Sequence, residues 1–253
     1  MIFYLSCTGN TRWAAAEIAR RTGDTLVDIT KTGQTTFAPE PGERIGFCFP
    51  VHGWRPPKLL RRFIANLDVR SAGGHYCYAL CTAGDDIGEA VKILAGDLAA
   101  KGLRLDSAFS LIMPESYVGL PFMDVDSPEN EARKKRRAAA CLQEYISMIE
   151  GSRVGEMHLD TGRWPRINSR LLGAFFTRYL ITDNPFRVTV DKCVGCGACA
   201  RACPVGNIVM DGGLPRWTHG GDCLACFACY HHCPHHAIEY GRRTKNKGQY
   251  FYK

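Results

Sequence analysis

Residues 193–204 read CVGCGACARACP and residues 223–234 read CLACFACYHHCP, so one cysteine pattern occurs twice near the end of the chain. In each copy three cysteines are separated by two residues, a fourth follows after three more, and a proline comes next. Three thiols at this spacing can surround one inorganic centre on a tight loop, which Gly195 and Gly197 permit in the first copy. Eight of the 13 cysteines lie in these copies, which predicts inorganic centres rather than a disulfide framework.

The duplicated pattern resembles the two-cluster bacterial ferredoxins, in which each fourth cysteine binds the other cluster. The resemblance implies two [4Fe–4S] clusters and a small α+β ferredoxin domain over residues 187–241, followed by a basic, solvated tail over 242–253. One ligand set is Cys193, Cys196, Cys199 and Cys233, and the other is Cys223, Cys226, Cys229 and Cys203. A pair of zinc sites is the alternative, although zinc sites seldom use three cysteines at such gaps. The four histidines beside Cys233 are expected to be exposed, or else to tune a cluster through hydrogen bonds to sulfur.

A second motif lies near the start of the chain, where residues 6–11 read SCTGNT between an apolar run at 1–5 and a predicted helix at 10–21. The free N–H groups at the start of a helix, helped by hydroxyl side chains, form a site for phosphate. The motif lacks Gly-Lys-Ser/Thr and is therefore not a nucleotide-triphosphate loop. The candidate phosphate ligands are Ser6, Cys7, Thr8, Gly9, Asn10 and Thr11.

Strand-like and helix-like segments alternate over the first 150 residues, which indicates a doubly wound parallel sheet with helices on both faces. Further strands are predicted at 44–49, 76–81 and 107–113, and helices at 58–67, 87–100 and 128–150. The last helix has a clear start, because Ser127 can cap it and Pro128 suits its first position.

The pattern Ser-x-Thr-Gly-Asn-Thr after a first strand resembles the FMN phosphate loop of flavodoxins, and the whole chain resembles the flavodoxin–ferredoxin fusion proteins of anaerobes. The resemblance implies a flavodoxin-like domain over 1–150, with strand order 2-1-3-4-5 and FMN at the carboxyl ends of the strands. Two loops match the flavin loops of that family in position, with Trp54 a candidate to stack on the ring, and Tyr117 is a weaker candidate near it. Their residues are Pro50, Val51, His52, Gly53 and Trp54 in one loop, and Thr82, Ala83, Gly84 and Asp85 in the other.

Two alternatives remain for this domain. A small tyrosine phosphatase needs five residues between its cysteine and arginine, whereas four separate Cys7 from Arg12. A degenerate domain that binds nothing is the other alternative.

The expected function is electron transfer between low-potential donors, the two clusters and FMN within one chain, with redox proteins as partners. An FMN-dependent reductase of a small molecule, with its pocket near His52 and Trp54, is the alternative, and a redox sensor is a third possibility. The connector at 151–186 contains an apolar segment, 167–180, expected to dock the two domains together or else to lie on a membrane surface.

Charge and hydropathy limit the remaining classes of protein to which the chain could belong. Residues 1–150 hold 18 basic and 18 acidic side chains, so the net charge of +7 comes from residues 151–253, with 14 and 7. Two clusters would offset roughly four of these positive charges, which argues against nucleic-acid binding. No run of 18 apolar residues predicts a membrane span, and the N-terminus lacks the basic start of a signal peptide, so a cytoplasmic protein is expected.

Overall fold

A computed structural model describes residues 1–70 and 74–253, and a six-stranded parallel sheet forms the centre of its N-terminal region. The strands in chain order are β1 (Ile2–Tyr4), β2 (Leu26–Asp28), β3 (Thr36–Phe37), β4 (Ile45–Pro50), β5 (Asp68–Val69), β6 (Cys77–Ala83), β7 (Ser107–Ile112) and β8 (Met157–His158). The sheet has the order β2-β1-β4-β6-β7-β8, and β3 and β5 form a separate two-stranded sheet. The predicted parallel α/β architecture is confirmed, and its edge strand β8 lies within the predicted connector.

Helices cover both faces of this sheet. They are α1 (Asn10–Thr22), α2 (Lys58–Asn66), α3 (Ala90–Ala99) and α4 (Pro128–Glu150). One core contains buried side chains of α2 and α3, and a second contains those of α1 and α4. All seven residues of β6 are buried, as a parallel strand between two helical layers requires. Ser127 caps α4 as predicted, since its Oγ accepts a hydrogen bond from the Asn130 N–H at 3.3 Å.

A continuous helical segment, here called the connector helix, follows β8 over residues 165–180. It consists of α5 (Pro165–Ile167), a π-helical stretch (Asn168–Leu172), α6 (Gly173–Phe175) and a second π-helical stretch (Phe176–Leu180). No helix among residues 1–70 and 74–253 is long and apolar enough to cross a membrane.

The C-terminal region is a small α+β unit. Its elements are β9 (Phe186–Val188), α7 (Ala198–Ala202), β10 (Ile208–Asp211), β11 (Leu214–Trp217), α8 (Ala228–His231) and β12 (Ile238–Tyr240). Strands β9 and β12 pair antiparallel, as do β10 and β11. The helices α7 and α8 begin in equivalent ways, each after a residue in the left-handed conformation, Gly197 (φ 69°) and Phe227 (φ 58°).

The prediction of a solvated tail holds for Arg242, Arg243, Lys245 and Lys253, which are exposed, but not for the whole segment. Thr244 and Tyr250 are almost completely buried. The hydroxyl of Tyr250 donates a hydrogen bond of 2.5 Å to Oδ1 of Asn10, the first residue of α1. The ring of Tyr252 stacks on Trp13 of α1 with centroids 5.1 Å apart. The end of the tail therefore packs against the start of α1 and holds the C-terminal unit on the N-terminal region.

Candidate functional site

The eight cysteines of the duplicated pattern line two separate small cavities. Four of them, Cys193, Cys196, Cys199 and Cys233, line one cavity. The other four, Cys203, Cys223, Cys226 and Cys229, line the second. Each cavity thus combines three cysteines of one copy with the fourth cysteine of the other copy. Among the described residues no three His, Cys, Asp or Glu side chains converge as ligands of a single metal ion.

Backbone N–H groups point at the sulfur atoms of both cavities. The N–H of Ala237 donates to Cys233 Sγ at 3.2 Å, and the N–H of Asn207 donates to Cys203 Sγ at 3.3 Å. Hydrogen bonds of this kind stabilise a thiolate and help to set the potential of a bound cluster. Burial raises the pKa of the Cys223 thiol to about 12, and coordination to a metal centre would lower it.

The two cavities differ in their exposure. Cys196 is solvent-exposed, and Val194 beside it is also exposed. The second cavity instead faces the N-terminal region, where Leu224 and Cys226 pack with the core under the parallel sheet. The first cysteine set is therefore open to an external molecule at Cys196, whereas every cysteine of the second set is buried or partly buried.

Cys7 connects the predicted phosphate loop to the second cysteine set. The neighbouring sulfur of Cys226, together with burial, raises the pKa of the Cys7 thiol, and the Cys7 thiol in turn lowers the pKa of Cys226. The sequence placed Cys7 among phosphate ligands, whereas the structure directs its sulfur toward a predicted cluster ligand. No pattern in the sequence pairs these two residues, because they are more than 200 positions apart.

A cavity of about 970 Å³ lies between the phosphate loop and the C-terminal unit. Ser6, Cys7, Thr8 and Gly9 line one side, and residues 201–206 line another. Asn10 and Thr11 instead point into the core, where Thr11 Oγ1 lies 2.8 Å from Thr82 Oγ1. Only the first four residues of the predicted loop can therefore contact a molecule in this cavity.

The cavity is strongly basic. Its cationic side chains are Arg12, Lys31, Arg62, Arg201 and Lys253, and Asp28 is its one acidic residue. At the start of α1, the Arg12 N–H donates to Ser6 Oγ at 3.2 Å. A helix start and an excess of positive charge favour an anionic ligand.

The tail forms one wall of this site. The Tyr252 N–H donates to the carbonyl of Thr8 at 2.7 Å. Gly9 has φ 97°, and a Cβ placed on it would lie 2.9 Å from the Cβ of Tyr252. Glycine is therefore required at this position both by the backbone conformation and by the close approach of the tail.

The space beside the first predicted flavin loop, Pro50–Trp54, is filled. A Cβ on Gly53 would lie 2.7 Å from the ring of Phe176, a residue of the connector helix. The Trp54 carbonyl accepts a hydrogen bond from Ser169 Oγ at 3.0 Å. His52 Nδ1 is buried and has no hydrogen-bond partner within the described part of the chain. Phe176 and Ser169 of the connector helix therefore occupy the space beside this loop.

The second predicted flavin loop, 82–85, is filled in the same way. The carboxylate of Glu115 lies against Gly84, where a side chain or ligand would otherwise pack. Thr82 is hydrogen-bonded to Thr11, Ala83 is buried, and Asp85 is exposed. Tyr117 lies between two aromatic rings, those of Phe176 and Phe227, at 5.2 and 5.3 Å. Tyr117 thus connects the N-terminal region with the connector helix and the C-terminal unit, and Glu115 occupies the space beside Gly84.

Two of the four histidines near Cys233 differ from the prediction of exposed residues, since only His235 and His236 are exposed. His231 is almost completely buried, and its Nε2 donates to the carbonyl of Ser116 at 2.7 Å. Its Nδ1 accepts from the Tyr250 N–H at 3.1 Å. This pattern fixes a neutral ring, and burial lowers the pKa of His231 to about 4. The residue connects α8, the N-terminal region and the tail.

Comparison with known families agrees with the geometry of the C-terminal unit. The model of the family described as "4Fe-4S dicluster domain" matches residues 192–238. Neither the curated proteins nor the solved structures include a match to this chain. Residues 192–238 are therefore a 4Fe-4S dicluster ferredoxin domain, joined to an N-terminal region that is a parallel-sheet α/β unit.

Proposed function

We propose that this chain transfers electrons through two [4Fe–4S] clusters to an FMN bound between its two regions. The single observation that carries the proposal is the basic cavity, because Cys203 and the predicted phosphate loop line it together. Iron–sulfur electron transfer follows from the dicluster domain itself. The position and identity of the second redox group are what the proposal adds.

The grouping of the cysteines supports crossed ligation. We define cluster I as the cluster bound by Cys193, Cys196, Cys199 and Cys233, and cluster II as the cluster bound by Cys203, Cys223, Cys226 and Cys229. A cubane binds each thiolate through a different iron atom, so four thiols spread around a cavity suit it well.

Crossed ligation can be tested with one substitution. Cys203→Ser should chiefly damage cluster II, although Cys203 belongs to the first sequence copy. Electron paramagnetic resonance of the reduced protein separates the two clusters. Loss of cluster I with cluster II intact would contradict the assignment.

Two features of the N-terminal region support an FMN site. When these five strands are renumbered in chain order, β2-β1-β4-β6-β7 becomes 2-1-3-4-5, which is the order of flavodoxin-like folds. Strand β8 adds a sixth strand at the edge of the sheet. The cavity volume of about 970 Å³ is ample for a ligand of this size. Ser6, Thr8, Gly9 and Arg12 would hold the phosphate, and the cavity rather than the two filled loops would receive the ring. Bound there, FMN would supply a carrier that exchanges one or two electrons.

The exposure of the clusters supports an order for the transfer. Cluster I has the solvent-exposed ligand Cys196 and can meet a partner protein. Cluster II has Cys203 on the wall of the cavity and Cys226 against Cys7. Electrons from a low-potential donor would therefore enter at cluster I and reach the cavity through cluster II.

The alternative of a small-molecule reductase requires an open pocket near His52 and Trp54. The connector helix packs on this loop, with Phe176 against Gly53 and Ser169 against Trp54. The geometry therefore favours a carrier that serves partner proteins over an enzyme with a substrate pocket at this loop.

The proposal is tested by analysis of anaerobically purified protein. We expect about eight iron atoms per chain and stoichiometric binding of added FMN. Arg12→Glu should weaken FMN binding about tenfold or more, because it replaces a cation of the cavity by an anion. Arg20→Glu is the matched control, since Arg20 lies on the same helix but outside the cavity. Four or fewer iron atoms would contradict the cluster assignment, and equal FMN affinity in both variants would contradict the FMN site.

A further inference from the structure

Large apolar side chains form an exposed row along the connector helix. Ile167, Leu171, Phe175 and Tyr179 occur at intervals of four residues, and each is at least half exposed. Trp164 and Leu172 are also exposed next to this row. In an α-helix of 3.6 residues per turn, side chains four residues apart shift gradually around the helix axis. The wider turns of the π-helical stretches compensate for this shift, so the row stays on one side of the connector helix.

The opposite side of the same helix consists of small residues. Ser169, Gly173 and Thr177 also occur at intervals of four, and Ser169 and Gly173 are buried. Gly173 approaches the carbonyl of Gly53 so closely that no Cβ could be accommodated. Ser169 Oγ accepts from the Glu89 N–H at 2.7 Å and donates to the Trp54 carbonyl. The connector helix is therefore fixed to the N-terminal region by its small side chains, and its apolar row faces outward.

Arginines accompany the apolar row. Residues 161–182 contain four arginines and no acidic residue, and all four arginines are exposed. Arg166, Arg170 and Arg178 each directly precede a member of the apolar row. Only Arg170 forms an ion pair in this part of the structure, with Glu89 at 2.7 Å. The outer face thus presents a band of positive charge directly beside large apolar side chains.

We propose that this outer face binds the surface of a membrane that contains anionic lipids. A helix that lies in the plane of the interface buries its apolar side chains below the headgroups and places cationic side chains among the lipid phosphates. The rings of Trp164 and Tyr179 suit the headgroup level, where aromatic residues are enriched. A second copy of the chain fits less well, because a twofold interface would bring the arginines of both copies together.

The test is sedimentation of the full-length, cluster-loaded protein with lipid vesicles under anaerobic conditions. We expect binding to vesicles of phosphatidylcholine with phosphatidylglycerol, and at least tenfold weaker binding to phosphatidylcholine alone. The double variant Leu171→Ser/Phe175→Ser should bind the anionic vesicles about 100-fold more weakly, since each apolar side chain contributes roughly tenfold. Phe122→Ser is the matched control, because Phe122 is 83% exposed and lies outside the connector helix. It should bind as the unaltered protein does.

Three results would overturn the proposal. They are the absence of binding to anionic vesicles, equal binding to the two kinds of vesicle, and equal binding by the Leu171→Ser/Phe175→Ser variant and the unaltered protein. Sedimentation equilibrium without lipid provides a further test. A dimer that dissociates in this variant, together with no vesicle binding, would assign the face to a second copy instead.

Discussion

Cys7 lies in a loop whose sequence suggests phosphate binding, yet its thiol lies beside the sulfur of Cys226 of the ferredoxin domain. An S–H donor to a cluster sulfur stabilises the reduced, more negative cluster and raises its potential. A residue of the N-terminal region can thus adjust cluster II.

We expect Cys7→Ala to lower the potential of cluster II and to leave cluster I unchanged. The shift should be about 20–60 mV, which corresponds to the ~0.5–1.5 kcal/mol of one hydrogen bond. Redox titration followed by electron paramagnetic resonance measures it. Cys141→Ala, on α4 away from both cavities, is the control. An equal shift of both clusters, or none, would contradict a specific contact with Cys226.

The buried ring of His52 should make stability depend on pH. Burial lowers its pKa from 6.5 to about 4, so the folded protein keeps the ring neutral where the unfolded chain binds a proton. The free energy of unfolding should therefore fall as the pH falls from about 6.5 towards 4, with a loss of roughly 1 kcal/mol at about pH 5.5. His52→Asn should lose this part of the dependence, as measured by anaerobic denaturant unfolding at two pH values. Identical dependence in both proteins would contradict it.

At the scale of elements, the tail 242–253 is the segment whose packing differs most from its prediction. Its basic composition predicted solvation, but Tyr250 and Tyr252 cover the phosphate loop. The alternation of tyrosines at 250 and 252 was the available signal, because two aromatic rings on one side of an extended chain require a surface to pack on.

We expect Tyr250→Ala to destabilise the protein by about 3 kcal/mol, since it removes a buried ring and its hydrogen bond to Asn10. Hydrogen exchange of residues 6–13 should increase in the same variant, because the tail would detach from the loop. Tyr179→Ala, which removes an exposed ring, provides the control. Unchanged exchange at the loop would show that the tail does not fasten it.

Elements with strong local signals were predicted well, and those defined by distant contacts were not. Helix α4 begins and ends at the predicted residues because Ser127 and Pro128 determine its start locally. Strands β2 and β8 have only three and two residues and too few apolar positions to be recognised. In the connector helix both rows repeat every four residues, so the sequence shows two faces but not which one packs.

The same division applies to the site. The eight cysteines follow from a local pattern and their crossed sets from the family resemblance, and the structure groups them accordingly. The flavin loops at 50–54 and 82–85 were placed by resemblance to a single-domain protein, in which no connector helix competes for the same space. Phe176 and Glu115 fill that space here, and neither residue has a local signal for this role.

At the scale of the whole molecule, the arrangement predicts one route for electrons. We expect a reduced low-potential carrier protein to reduce bound FMN rapidly when both clusters are present. Cys196→Ser should slow this step by damaging cluster I while FMN stays bound, because the only proposed entry point is then lost. Stopped-flow absorbance under anaerobic conditions follows the reaction. Equally fast reduction without an intact cluster I would show that electrons enter elsewhere.

The unequal cover of the two cysteine sets also bears on how the protein withstands air. Cys196 of the first set is exposed, whereas all four cysteines of the second set are buried or partly buried, and Cys226 packs against the N-terminal region. Oxygen would reach cluster I directly at Cys196. It would reach cluster II only through the basic cavity or after the two regions separate. Aerobic handling would therefore yield, for a time, molecules that contain half their iron. In these molecules cluster II would be intact, but no donor protein could reduce it through cluster I.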